Sequence, residues 1–354
     1  MAITTLGTLP SAHTNGAWAL TSLGDDRFVT GGADGELKLW RMTPANFAPT
    51  PAADQVDDQA PARDAAPVTL LAEVPNAHRL SVIHADAAAT NTTTTTQCLA
   101  TSAFDGLIRL WQFPDASLDS RLEIKTTGLE AFHVAVSPDG QWVASGGDTT
   151  TAAASGARTA RAATLWSTDT GDKAQQLEVS TTSSTLSFVT CLRFLHQADD
   201  HPSMRRLTCG GNDGSILVFD CETGTLESHI TAAAASRLPI RALHQPPAEP
   251  TLLLGAAEDE CVHLLDWRCR EPVGTLSSSG SGALYAVTSA PQHPLLVFAG
   301  GADARVRAYD RRTGECVHAC SEHRGTVWGM ATVPTRPVRV VSTGDDGALV
   351  VMEL

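Results

Sequence analysis

Phe28-Val-Thr-Gly-Gly-Ala-Asp-Gly-Glu-Leu-Lys-Leu-Trp40 reads as a strand, a Gly/Asp turn and a second strand closed by tryptophan. Val, Leu and Phe supply the extended, half-buried segments, and Ala-Asp-Gly supplies a turn in which glycine tolerates a positive φ. Leu99-Ala-Thr-Ser-Ala-Phe-Asp-Gly-Leu-Ile-Arg-Leu-Trp111 repeats the pattern. Further copies end at Trp166, Phe219, Leu265, Tyr309 and Met352, which makes seven along the chain. The spacing between these closing residues shrinks from 71 to 55, 53, 46, 44 and finally 43. A repeat of about 40–45 residues fixes an architecture before any single residue is considered.

The unit resembles the WD repeat, one four-stranded blade of a β-propeller. That resemblance implies an all-β, seven-bladed ring spanning residues 1–354 as one unit. The longer early spacings are insertions near 43–67, 87–97, 149–162 and 197–206. The first is rich in Pro, Ala and Asp, has little to bury and is expected to be mobile. The second is a Thr-rich run, and the third carries Arg158 and Arg161. In a WD blade the first, second and fourth would leave from the wide bottom face, and the third from the narrow top face. Ser137-Pro-Asp-Gly140 reads as a hairpin turn between Ala131–Val136 and Trp142–Gly146. The last blade ends with its third strand, Ala348–Leu354, so Ile3–Leu9 is expected to supply the fourth and close the ring.

A formal charge of −14 disfavours sequence-independent nucleic-acid binding, which needs clustered Lys and Arg. No apolar run approaches a membrane span, and no secretory signal is expected at the N-terminus. The eight cysteines are scattered, form no C-x-x-C and match no zinc spacing. Most lie in apolar strand patterns, which fits packing in a reducing cytoplasmic or nuclear compartment. No cofactor or metal is expected.

His13, His78 and His323 each precede an inner strand; Asp34, Asp105 and Asp346 lie in turns; Thr30, Thr101 and Ser342 lie four residues before those aspartates. Such sets suggest a hydrolase triad, but a nucleophile would occur once, and periodic recurrence matches the bracing network of WD blades. Gly31-Gly32 and Gly210-Gly211 precede no helix and no Lys-Ser/Thr, so they read as strand glycines that allow close packing and not as a phosphate loop.

In WD blades, residues flanking the start of the inner strand point to the top of the central channel, as does the residue before the turn aspartate. On that basis Trp18, Ile83, Phe132, Phe188, Tyr285 and Trp328 gather there, with Phe104 from a turn. Six of these seven are aromatic in a chain only 5% aromatic. Glu130, Asp148, Arg241, Glu258 and Asp345 would stand among them. Aromatic residues with a few charges around a concavity are the composition of an interaction hot spot. Phe188 also reads as a core residue of its strand, and Trp18 as half buried.

A narrower resemblance lies in Thr313-Gly-Glu-Cys-Val-His-Ala-Cys-Ser-Glu-His-Arg-Gly-Thr-Val-Trp-Gly-Met330 followed by Val341-Ser-Thr-Gly-Asp-Asp346. Together they resemble the last blade of the WD-repeat subunits of the superkiller (SKI) complex. Ala131-Phe-His-Val-Ala-Val-Ser-Pro-Asp139, Pro239-Ile-Arg-Ala-Leu243 and Ala12-His-Thr-Asn-Gly-Ala-Trp18 add to it. The resemblance implies a non-enzymatic scaffold that holds a tetratricopeptide-repeat subunit and an RNA helicase for exosome-dependent messenger RNA decay. It also implies short partner segments gripped on the top face, a role that carries over best to Trp18, Phe132, Arg241 and Trp328. No direct nucleic-acid contact, no membrane and a monomer in isolation are expected. Two rivals stand beside it. One is a chromatin or transcription adaptor, such as a subunit of the RNA polymerase II-associated factor complex. The other is an enzyme on a propeller scaffold, which would need a single non-repeating catalytic cluster.

Overall fold

The second strand of the opening repeat, Arg27–Gly32, is buried along its whole length, while its neighbour Leu37–Met42 largely alternates. A strand buried on both faces needs sheets on either side of it, and a ring of radial sheets provides them. The computed structural model describes residues 3–44, 66–88, 97–127, 129–149, 159–180, 186–196, 205–231, 237–269, 272–277, 280 and 282–354. Within them lie seven four-stranded antiparallel sheets, and no described residue is helical. The chain is an all-β, seven-bladed propeller.

Blade 1 is built in chain order from Ala17–Ser22, Arg27–Gly32, Leu37–Met42 and Val68–Val74. The inner strands of blades 2 to 6 are Val82–Ala87, His133–Val136, Val189–Leu195, Ile240–His244 and Leu284–Ala290. Blade 7 takes Val327–Val333, Arg339–Gly344 and Leu349–Glu353 from the C-terminal end and Thr4–Leu9 from the N-terminal end. Thr4 pairs with Glu353 and Leu9 with Leu349, so the outermost strand of the last blade comes from the start of the chain and closes the ring. The hairpin at Ser137–Gly140 joins His133–Val136 to Trp142–Gly146. Its first strand is two residues shorter than the sequence suggests, because Ala131 and Phe132 precede the regular pairing.

The core is distributed as wedges between adjacent blades. Phe28 and Trp40 of blade 1 pack with Ala331, Val341 and Val351 of blade 7. Ala19, Val29 and Leu37 pack with Val82, Leu99 and Trp111 of blade 2. The paired glycines serve this approach. A Cβ on Gly31 would lie 2.6 Å from Val82 Cγ1 of blade 2, and one on Gly210 would lie 3.2 Å from Ile240 Cβ of blade 5. Cys98, Cys191, Cys209, Cys221 and Cys320 are buried, whereas Cys269 and Cys316 are exposed.

The four insertions fall between Met42 and Val68, Ala87 and Leu99, Gly146 and Thr159, and Leu195 and Arg206. Most of each lies outside the described residues. Their flanking strands are third-to-fourth, first-to-second, second-to-third and first-to-second in their blades. The third therefore leaves from the rim opposite to the other three.

Candidate docking face at the mouth of the channel

The recurrent His, Asp and Ser/Thr residues brace the blades. His13 Nε2 lies 2.8 Å from Thr30 Oγ1 and its Nδ1 3.2 Å from Asp34 Oδ1, while the Trp40 indole donates to Thr30 Oγ1 at 2.9 Å. His78, Thr101, Asp105 and Trp111 repeat the arrangement, with the Trp111 indole 2.8 Å from Thr101 Oγ1. His323, Ser342 and Asp346 repeat it without an indole, because Met352 occupies the closing position. Burial pushes the His78 imidazole down to about 4, against the attraction of Asp105. Burial raises the Asp105 carboxyl, but His78 and the N–H groups of Arg79 and Leu107 outweigh it and hold the acid low. A neutral histidine fixed at both nitrogens, on a buried hydroxyl, is a strut. His13, Asp34 and Glu36 come close enough to suggest a cation site, but His13 and Asp34 are already members of such a strut.

The mouth is built by a backbone irregularity that recurs around the ring. In six inner strands the pairing register slips by one residue near the start: between Ala17 and Ala19, Val82 and His84, Val189 and Cys191, Ile240 and Ala242, Leu284 and Ala286, and Val327 and Gly329. The residues left over are Trp18, Ile83, Thr190, Arg241, Tyr285 and Trp328. A bulge leaves one residue unpaired and re-aims its side chain. All six line a central channel of about 830 Å³, as do Phe104 and Phe132.

These residues form a nearly continuous arc. Phe188 and Phe132 meet edge to face with centroids 5.0 Å apart. Phe132 lies 6.3 Å from Phe104, and Phe104 lies 6.4 Å from Trp18, again edge to face. The indoles of Trp18 and Trp328 both donate to Asp345 Oδ1, at 2.9 and 2.7 Å. Trp328 lies over Tyr285 at 4.3 Å, and the Arg241 guanidinium sits 5.8 Å from the Tyr285 ring. Phe104 and Trp328 remain 43% and 36% exposed, so the arc is not consumed by the core. Trp18, Ile83, Phe132, Phe188 and Tyr285 are half buried.

The charged residues depart from expectation. Glu130 does not stand at the mouth: it is buried, 2.6 Å from Arg161 Nη2 and hydrogen-bonded by Thr127. Glu258 and Arg241 hold each other, with Arg241 Nε donating to Glu258 Oε1 at 2.7 Å. Asp345 is exposed but its Oδ1 is occupied by the two indoles. Asp148 is half buried and pairs through its backbone with Phe188. In blade 4 the bulge residue is Thr190, buried with its hydroxyl on the Gly210 and Ile240 carbonyls, while Phe188, just ahead of the strand and bridged to Asp148, packs against Phe132. Trp18 lies 13 positions before Gly31 but Thr190 lies 20 before Gly210, so counting back from the glycine pair does not find it. The register slip itself leaves no mark in composition.

Below the mouth the channel wall turns polar. His84, Asp86, His133, Arg193, His196 and His244 line it, and none of them stood out in the sequence. The His84 and His133 rings stack with centroids 3.4 Å apart, and Leu192 N–H donates to His133 Nδ1 at 3.2 Å. Arg193 Nη1 reaches Asp86 Oδ1 at 3.4 Å, across the intervening blade, while Asp86 Oδ2 accepts from Val136 N–H at 2.9 Å.

The family model for the WD domain, G-beta repeat, matches residues 3–41 and 127–151. The first match begins in the closing strand of blade 7 and ends in the third strand of blade 1. The sequence repeat is thus offset by one strand from the structural blade, the offset that ring closure by the N-terminus requires. On those two stretches the chain is similar to WD repeats, and both lie within the seven-bladed propeller.

Proposed function

We propose that this propeller is a non-enzymatic adaptor that grips a short partner segment at the channel mouth, as the WD-repeat subunit of an SKI-type RNA-decay assembly. The observation that carries the docking reading is the arc from Phe188 through Phe132, Phe104, Trp18 and Trp328 to Tyr285, partly exposed and in contact nearly throughout. Large rigid side chains that lose little entropy on binding make efficient anchors. The segment presents an apolar or aromatic group to this arc. Arg241 and Glu258 already neutralise each other, so a charged group on the segment would exchange with that pair.

The finer assignment rests on the resemblance of 313–330 and 341–346 to the last blade of that family. In this reading the partners are a tetratricopeptide-repeat subunit and an RNA helicase, the helicase supplies RNA contact, and the protein works in the cytoplasm. Affinity purification from native extract followed by mass spectrometry tests it. Recovery of that pair supports the assignment. Recovery of RNA polymerase II-associated factors without the pair replaces it with the transcription reading. Recovery of neither class overturns both.

A further inference from the structure

We propose that the polar belt inside the channel is a binding site for a phosphate group, centred on Arg193 and Asp86. Among the described residues Arg193 makes one long contact, 3.4 Å to Asp86 Oδ1, and it lines the channel, which leaves most of its five N–H donors unused. His84, His133, His196 and His244 surround it from blades 2 to 5, and all line the same channel. The His84 Nδ1 atom is buried without a hydrogen-bond partner among the described residues. An unfilled polar atom and an under-used guanidinium lining one channel form an arrangement that an oxyanion completes.

Asp86 decides which oxyanion. A carboxylate in the site repels a fully ionised guest but accepts a hydrogen bond from one that carries a proton. Phosphate retains a proton near neutrality, and sulfate does not. Asp86 uses one oxygen on Val136 N–H and has acceptor capacity left. Arg193 and the imidazoles donate to the guest, and Asp86 receives its hydroxyl. The shared chemistry covers inorganic phosphate and a phosphate monoester, and the channel leaves room for either.

The test is calorimetric titration of the whole chain with inorganic phosphate, O-phosphoserine and sulfate, with imidazole NMR signals followed in parallel. Phosphate or O-phosphoserine is expected to bind with a dissociation constant of about 1 mM or tighter, and sulfate at least about tenfold more weakly. The tighter of the first two probes identifies the source. Arg193→Gln should lose at least about tenfold in affinity, and Asp86→Asn should let sulfate bind within about threefold of phosphate. Should either variant fail to fold, shifts of the His84 and His133 ring signals in the unaltered protein still locate the site. Absence of binding by both phosphate probes at about 10 mM overturns the proposal. Equal binding of sulfate by the unaltered protein, or phosphate-induced shifts that spare both rings, does the same.

Discussion

Trp18 and Trp328 share one hydrogen-bond acceptor: both indole N–H groups donate to Asp345 Oδ1, at 2.9 and 2.7 Å. The two residues are 310 positions apart and belong to the first and last blades. The clamp therefore ties the last blade to the first. It also spends both N–H donors within the chain, so the two indoles offer a partner their faces and edges.

Asp345 acts here as a positioning residue, and two substitutions separate that role from a charge role. Asparagine keeps an acceptor oxygen, and alanine removes it. Asp345→Asn is expected to retain most partner affinity, while Asp345→Ala loses about 1–2 kcal/mol of binding as the indoles come loose. Indole N–H signals of Trp18 and Trp328 should move in the alanine variant. Equal losses in both variants would mean that the partner reads the charge of Asp345 directly.

Deleting residues 1–9 removes the outer strand of blade 7 and exposes the edge of Leu349–Glu353, a strand whose first four residues are buried. The thermal midpoint is expected to fall by about 5 °C or more, with association of the truncated chain in solution. An unchanged midpoint in a monomeric sample would show that the closing strand contributes little.

Asp105→Ala takes away the carboxylate that holds His78 and the backbone N–H groups of Arg79 and Leu107. A cost of about 2–3 kcal/mol in chemical denaturation is expected, with partner binding unchanged in the folded fraction. A variant with unaltered stability and impaired binding would place Asp105 at the docking face.

Acid should weaken the fold well above the carboxylate range. Burial and Arg193 push His84 and His244 down to about 3 and His196 down to about 4; burial, against the pull of Asp105, takes His78 to about 4. Their folded values lie below the ordinary imidazole value of about 6.5, so only the unfolded chain takes up protons as pH falls through that value. Their stabilisation is complete above about pH 6.5 and is lost progressively toward about pH 4 and below. Asp34, Asp105 and Asp346, held low in the fold, lose theirs only below their ordinary range. Denaturation midpoints at about pH 7.5, 6 and 5 should decline stepwise. A flat profile over that interval would mean that the imidazoles are protonated in the folded state.

Seven blades and closure by the first strand were legible because both follow from repeat spacing and from a missing fourth strand. The aromatic members of the mouth were legible for a related reason: each flanks the start of an inner strand or, for Phe104, precedes the turn aspartate. Glu130 was not, because its partner Arg161 lies thirty-one positions away, in a stretch read as part of an insertion, and only folding joins them. Thr190 was missed since polarity hid the position that its neighbours fill with bulk. The belt around Arg193 was invisible for a deeper reason. Its members come from four different blades, and Asp86 and Arg193 meet only by reaching across the blade between them.

The central claim is that partners dock through the mouth. Its most direct test is the recovery of the proposed tetratricopeptide-repeat and helicase partners by Trp328→Ala relative to the unaltered protein, in extract, alongside thermal melts. Trp328 is 36% exposed and lies on the rim, so the variant should melt close to the unaltered protein. A loss of about 2 kcal/mol or more, roughly thirtyfold in affinity, is expected at a hot spot. A folded Trp328→Ala protein that recovers both partners in full would contradict docking at the mouth and move the interface to the blade sides or the opposite rim.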